Sequence, residues 1–144
     1  MSKIYLLSHP LLIAFIIFNI CNDDGIFEPG GEKTLLLGDT LNVNYGETLR
    51  NFEEHIRITF DTLYEDSRCP VDVVCFWEGN ARLGFTFGHI HQKAGLTLNT
   101  YSGFKRDTTV YNYRISLIDV LPYPHSDSTF TAEDYIAQIV VDRE

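Results

Sequence analysis

The chain has 144 residues, 44% of them hydrophobic, 22% charged and 13% aromatic, with ten Gly and five Pro. That composition is globular, and the length suffices for one core but excludes a large multidomain enzyme. The formal net charge is -9, and from Cys21 onward ten basic side chains face twenty acidic ones. Nucleic acid is therefore excluded as a partner: Lys and Arg are scattered singly, Lys105-Arg106 is the one basic pair, and no stripe exists to neutralise phosphates.

Lys3, the short apolar run Ile4 to Leu7, an interruption at Ser8-His9-Pro10 and the run Leu11 to Phe18 open the chain. A charged start before an apolar stretch of this length predicts a signal peptide over residues 1–20. The alternative, a retained anchor helix, is disfavoured by the shortness of the run and by Pro10. Asn19-Ile20-Cys21 then gives way to the polar Asn22-Asp23-Asp24-Gly25, which resembles a bacterial lipoprotein signal. The resemblance implies acylation of the Cys21 thiol and firm anchoring by several acyl chains. Asp23-Asp24 is similar to the acidic signals that direct some lipoproteins to the outer face of the cell, so the expected location is the outer membrane, on its periplasmic or surface side. Residues 21–32, with Gly25, Pro29, Gly30 and Gly31, read as the lipidated Cys and a flexible tether, leaving residues 33–144 as one domain.

That domain is a series of short runs rich in Val, Ile, Leu, Thr, Tyr and Phe, divided by turn residues. Strands are expected at Thr34 to Leu37 and Thr40 to Tyr45, with a competing helical reading at Glu47 to Glu54. His55 to Tyr64 alternates, placing Ile56, Ile58, Phe60, Thr62 and Tyr64 on one face. Ala81 to His89 repeats the pattern with Leu83, Phe85 and Phe87 inward, and a turn at Gln92 to Gly95 is expected to return the chain as Leu96 to Tyr101. Strands at Tyr111 to Leu121 and Tyr135 to Asp142 complete the set, with a phase slip near Leu117-Ile118 that predicts a bulge and a helical turn at Thr131 to Asp134. Seven or so antiparallel strands in this length predict an all-β, two-sheet sandwich of immunoglobulin-like type, with a small β-barrel as the alternative.

With Cys21 acylated, Cys69 and Cys75 remain as an even pair, and in an oxidising compartment they are expected to form a local disulfide. Its small loop would contribute roughly 2 kcal/mol by chain entropy, enough to pin a loop rather than a domain. Zinc is a poor rival, since it needs C-x2-4-C spacing and two further ligands. Asp66-Ser67-Arg68-Cys69-Pro70, then Cys75-Phe76-Trp77-Glu78-Gly79, resembles a D-S-R-C-P…C-x-W-x-G motif of uncharacterised secreted and lipoprotein β-domains of bacteria. More loosely the resemblance takes in Leu121 to Pro124 and covers residues 38 to 142. It implies a secreted β-domain and the disulfide, and carries no activity with it.

Two readings of the motif follow. In one it is purely structural, with Pro70 fixing the turn, Trp77 packing on the disulfide, Gly79 relieving the next strand and Arg68 pairing with Asp66 or Asp72. In the other, Arg68, Pro70, Val71, Asp72, Val73, Val74 and Trp77 form a rigid loop that meets a partner, since a tied loop loses less entropy on binding. That reading requires Val71, Val73 and Val74 to be exposed.

His89 and His91 form an H-x-H pair that would share one strand face and could clasp a metal, with His125, His55 or Glu78 as the third ligand. Catalysis has no comparable signature: there is no G-x-S-x-G, and His125-Ser126-Asp127-Ser128 reads as a turn. The expectation is a non-enzymatic, lipid-anchored envelope domain without cofactor. It touches the membrane through its anchor only and binds a protein or carbohydrate, with a metal-binding module as the alternative. Exposed Tyr between Tyr101 and Tyr113 would favour such a contact surface.

Overall fold

The computed structural model describes residues 33–144; the signal, Cys21 and tether expected at 1–32 lie outside the described residues. Eight antiparallel strands form two four-stranded sheets, and no described helix is long and apolar enough to cross a membrane. Strands β2 (Thr48–Asn51), β3 (Ile56–Asp66), β4 (Ala81–His89) and β5 (Gln92–Asn99) make one sheet in that order. The other holds β1 (Thr40–Asn44), β8 (Ile136–Arg143), β7 (Tyr113–Leu121) and β6 (Asp107–Val110). The two-sheet sandwich is thus observed. Its connectivity is a meander, in which β2 to β5 and β6 to β8 pair in chain order within their sheets and β1 meets β8, where an immunoglobulin domain has Greek-key crossovers.

Alternation drives the assembly. Ile56, Ile58 and Phe60 of β3, Leu83, Phe85 and Phe87 of β4 and Leu96 and Leu98 of β5 are buried against Tyr113, Ile115, Leu117, Ala137, Ile139 and Val141 of the facing sheet. Phe60 and Phe85 meet at 5.3 Å between ring centroids, and Phe87 crosses between the sheets to Tyr113 at 5.7 Å. The slip expected near Leu117-Ile118 is a register shift between Leu117 and Asp119 that turns Ile118 out to solvent.

Several expectations are corrected. Register shifts after Phe60 and Leu63 reverse the phase of β3, so that Leu63 packs on the core while Tyr64 turns outward, over Gly84 and under the Arg82 guanidinium. Glu47 to Glu54 is not helical: Leu49 is core, Thr48 Oγ1 meets Thr59 Oγ1 at 2.8 Å, and cross-strand burial overrides the helix-forming Glu, Leu and Arg. The β4–β5 reversal falls at Ile90-His91 rather than at Gln92 to Gly95, with Ile90 at φ +53°. Thr34 makes one bridge to Arg50 instead of a strand, although Leu35 is fully buried. The short polar β6 pairs with β7 across Tyr111-Asn112, both at positive φ as a type I′ turn requires. A single 3-10 turn, Ala132–Asp134, occupies the expected helical position, with Asp134 accepting from the Thr131 amide at 2.8 Å.

The candidate interaction loop

The β3–β4 connection stands at one end of the sandwich, opposite the β2–β3 and β4–β5 turns. It begins as a continuation of the ladder: Ser67 N–H donates to Asn80 O at 2.8 Å and Cys69 N–H to Glu78 O at 2.9 Å. Beyond these rungs the Cys69–Cys75 disulfide, with Cα atoms 5.9 Å apart, closes the loop.

Arg68 is central to this base, and here the structure corrects the expectation that it faces a partner. It is only 7% exposed. Its Nε and Nη2 donate to the two Asp66 carboxylate oxygens at 2.9 and 2.7 Å, Nη2 also donates to Pro122 O at 2.8 Å, and Nη1 donates to Val120 O. Tyr123 lies beneath the guanidinium at 4.8 Å, and Tyr135 Oη donates to Asp66 Oδ2 at 3.1 Å. A bidentate guanidinium fork is the one side chain that satisfies a carboxylate and two carbonyls at once, which is why Arg rather than Lys suits this position.

Burial, with the Asp66 charge second, pushes the Tyr135 phenol up to about 12. Because the folded protein holds this proton more tightly than the unfolded chain, stability is complete below pH 10 and falls as pH rises from about 10 to about 12. Tyr135→Phe is expected to flatten that alkaline decline while costing about 1 kcal/mol at neutral pH for the lost hydrogen bond. Denaturation midpoints recorded from pH 8 to pH 12 check both; an unchanged alkaline slope would put the sensitive group elsewhere.

Asn80, Gly79 and Asp72 are also engaged internally. Buried Asn80 donates from Nδ2 to Asn99 Oδ1 at 3.0 Å and accepts the Tyr101 amide at 3.0 Å, tying the loop to the β5–β6 connection. Gly79 adopts φ +75° with Ser67 O where a Cβ would stand. On the other side Val71 N–H donates to Pro124 O at 3.0 Å, and exposed Asp72 takes the amide of Ser126 at 2.9 Å together with its hydroxyl. The Ser126 hydroxyl and amide hold the Asp72 carboxyl below its ordinary range. Ser126 is thus bound to a carboxylate and not to an imidazole, so this Ser-His-Asp neighbourhood straps the loop and lacks a nucleophile–base pair.

What is left outside is apolar. Val71, Val73 and Trp77 are about half-exposed and Val74 and Phe76 fully so. Phe76, absent from the sequence-derived contact set, is the most exposed of the five; its place between Cys75 and Trp77 in the motif was the available signal. Trp77 stands edge-on to Tyr101 at 6.1 Å, and Tyr101 edge-on to Phe104 at 5.3 Å, so an aromatic row extends the loop's apolar surface across the β5–β6 connection. The Tyr101 ring lies 2.5 Å from where a Gly103 Cβ would fall, so Gly at 103 makes room for it.

The H-x-H pair is separated by the turn that it partly forms. His89 ends β4 with its ring near Tyr111 and Tyr113 of the other sheet, at 6.1 and 5.7 Å, whereas His91 lines a cleft beside Phe52. The reversal at Ile90-His91 takes His91 off the strand, which removes the shared face that metal binding required. Of the expected third ligands, only His55 shares the cleft with His91. Among the described residues no group of three His, Cys, Asp or Glu is gathered around a metal-sized space.

No family model matches the chain, and neither the curated proteins nor the solved structures include a match to it.

Proposed function

We propose that the protein is a non-enzymatic, lipid-anchored module of the bacterial cell envelope that binds a protein partner through the loop from Pro70 to Trp77. The observation that carries this reading is a division of labour along the chain from Asp66 to Asn80. Asp66, Ser67, Arg68, Asp72 and Asn80 are spent on internal bonds, while Val71, Val73, Val74, Phe76 and Trp77 face solvent. Exposed apolar clusters on soluble domains mark contact sites, and pre-ordering by the disulfide, the Arg68 fork and the Asp72 strap lowers the entropy lost on binding. Protein is favoured over carbohydrate because three aliphatic Val and fully exposed Phe76 suit an apolar pocket, and Glu78 is the one polar motif side chain left without an internal partner. The anchoring at Cys21 rests on the signal-like sequence, and the intact mass of the membrane-extracted chain tests it.

A photo-crosslinking residue placed at Val74 or Phe76 in the envelope-expressed protein is expected to yield one discrete protein adduct, and the same residue at exposed Thr97 none. Val74→Asp with Phe76→Asp should abolish binding of that partner and leave the denaturation midpoint within about 0.5 kcal/mol of wild type, since exposed positions tolerate substitution. Identical adduct patterns from the loop and from Thr97 would dismiss the loop as the binding site.

A further inference from the structure

Where the β3–β4 loop meets the β5–β6 connection lies a pocket of about 270 Å³ whose walls include Arg68, Glu78, Gly79, Thr100, Tyr101 and Tyr123. That is below the roughly 300 Å³ at which small-molecule sites begin, and it suits a single side chain of a larger partner. Trp77 of the exposed loop is in ring contact with Tyr101 of the pocket wall, so a partner that fills the pocket also meets the apolar surface.

Glu78 decides the chemistry. Its side chain is exposed and has no hydrogen-bond or ion-pair partner among the described residues. Its backbone, by contrast, is fixed: the Glu78 carbonyl oxygen accepts the Cys69 amide at 2.9 Å, and Gly79 follows at φ +75°. A free carboxylate therefore stands on a rigid stem.

The cation already in the wall is spent. Arg68 is 7% exposed, and its fork closes on Asp66 and on the carbonyls of Val120 and Pro122. Tyr123 has this guanidinium over its ring and donates its hydroxyl to Asp119 at 3.1 Å. Arg106 is close enough for its charge to act on the same phenol, and donates to Ile118 O at 3.0 Å. On and behind the walls, three carboxylates (Glu78, Asp66 and Asp119) thus stand against two guanidinium groups (Arg68 and Arg106), an excess of one negative charge.

Tyr101 supplies the second element. T-shaped contacts to Trp77 at 6.1 Å and Phe104 at 5.3 Å set its ring, and its hydroxyl has no partner among the described residues. An aromatic ring beside an unpaired carboxylate is the combination that holds a cationic side chain. The carboxylate takes the charge, the ring adds cation–π attraction, and the aliphatic stem of the guest covers apolar surface.

We propose that the pocket receives an arginine or lysine side chain of the protein partner, paired with Glu78 and laid against Tyr101. Apolar residues beside it in the partner then cover Val74, Phe76 and Trp77. The partner's contact segment is accordingly a basic side chain flanked by apolar ones, which rests on the reading of the loop as a binding site. Long-range electrostatics act in the same direction: from Cys21 onward twenty acidic side chains face ten basic ones, so a basic segment is drawn toward the domain.

The test uses the chain from position 21 onward with Cys21→Ser, so that no acyl group contributes. Its probes are blocked peptides, acetyl-Gly-Leu-X-Leu-Gly-amide, with X arginine, lysine, norleucine or glutamate. Titrations followed by the amide shifts of Gly79, Thr100 and Tyr101 are expected to show the cationic peptides binding on the order of tenfold more tightly than the norleucine peptide. Glu78→Gln should remove that preference, Glu78→Asp should keep part of it, and Glu78→Lys should turn it toward the glutamate peptide. Glu53→Gln, at the opposite end of the sandwich, should change nothing. Glu78 is exposed, so its variants leave the fold intact. Equal binding of the four peptides, no saturable shift with either cationic one, or a preference that survives Glu78→Gln overturns the inference. Photo-crosslinking at Val74 reads the loop separately: a partner captured there with equal yield from Glu78→Lys removes the cation pocket alone, so either idea can fail by itself.

Discussion

Arg68→Ala is expected to destabilise the domain by about 3–5 kcal/mol, the range for removing one partner of a buried ion pair. Both side chains are almost sealed from water, at 5% and 6% exposure, so the lost guanidinium leaves the Asp66 carboxylate uncompensated and the Val120 and Pro122 carbonyls without their donor. Arg68→Lys keeps the charge but not the planar fork, and should recover only part of the loss. Asp66→Asn with Arg68→Met removes both charges together and is expected to cost less than Arg68→Ala, because no buried ion is left alone. Urea midpoints for the three variants decide it. A wild-type midpoint for Arg68→Ala would mean that the loop base is held by its ladder and disulfide and not by this pair. The same variant should weaken partner binding even though Arg68 touches no partner, through a loop no longer held in one shape.

Gly79→Ala should be nearly as damaging, at roughly 3 kcal/mol, with Gly46→Ala as its internal control. Both glycines sit at almost the same positive φ, +75° and +76°, so both pay for an L side chain in the left-handed region, about 1 kcal/mol. They differ in space: a Cβ at Gly46 meets nothing within 4 Å, whereas at Gly79 it would fall 2.0 Å from Ser67 O. That oxygen belongs to backbone held in the first rung of the loop, so the contact is relieved only by opening the rung, and overpacking of this kind adds roughly 2 kcal/mol. Equal midpoint shifts in the two alanine variants would show that conformation alone sets the requirement for Gly79.

These positions also show where sequence reasoning stops. The core of β3 and β4 was legible because Ile56, Ile58, Phe60, Leu83, Phe85 and Phe87 keep a strict period of two, and the slip at Leu117-Ile118 was legible because that period breaks. The second half of β3 was not: two register shifts exchange the roles of Leu63 and Tyr64, and such shifts are set by the partner strand. β6 is four residues, Asp-Thr-Thr-Val, with no apolar alternation to announce it, and it is defined by β7 across a two-residue turn. In the loop, the apolar tip could be read directly, since Val71, Val73 and Val74 lie within a short covalent ring. The fate of Arg68 could not, because two of its acceptors come from residues 52 and 54 positions later in the chain. The cleft at the far end was equally hidden: His55 and His91 are brought to one place only by the pairing of β3 with β4.

The meander has a consequence for how the domain assembles. Every ladder except one joins strands that are neighbours along the chain: β2–β3, β4–β5 and β6–β7 across tight turns, and β3–β4 and β7–β8 across connections of fourteen residues each. The exception, β1 with β8, unites Val43 with Ala137. Closing a span of that length from an unstructured chain costs about 4 kcal/mol in entropy, far more than a two-residue reversal does. Once the β2–β5 and β6–β8 hairpins exist, most of that span is already collapsed and the cost shrinks. Local pairing therefore precedes the β1–β8 seam, which acts as the closing zip of the sandwich and, by the same reasoning, as the seam along which it first opens.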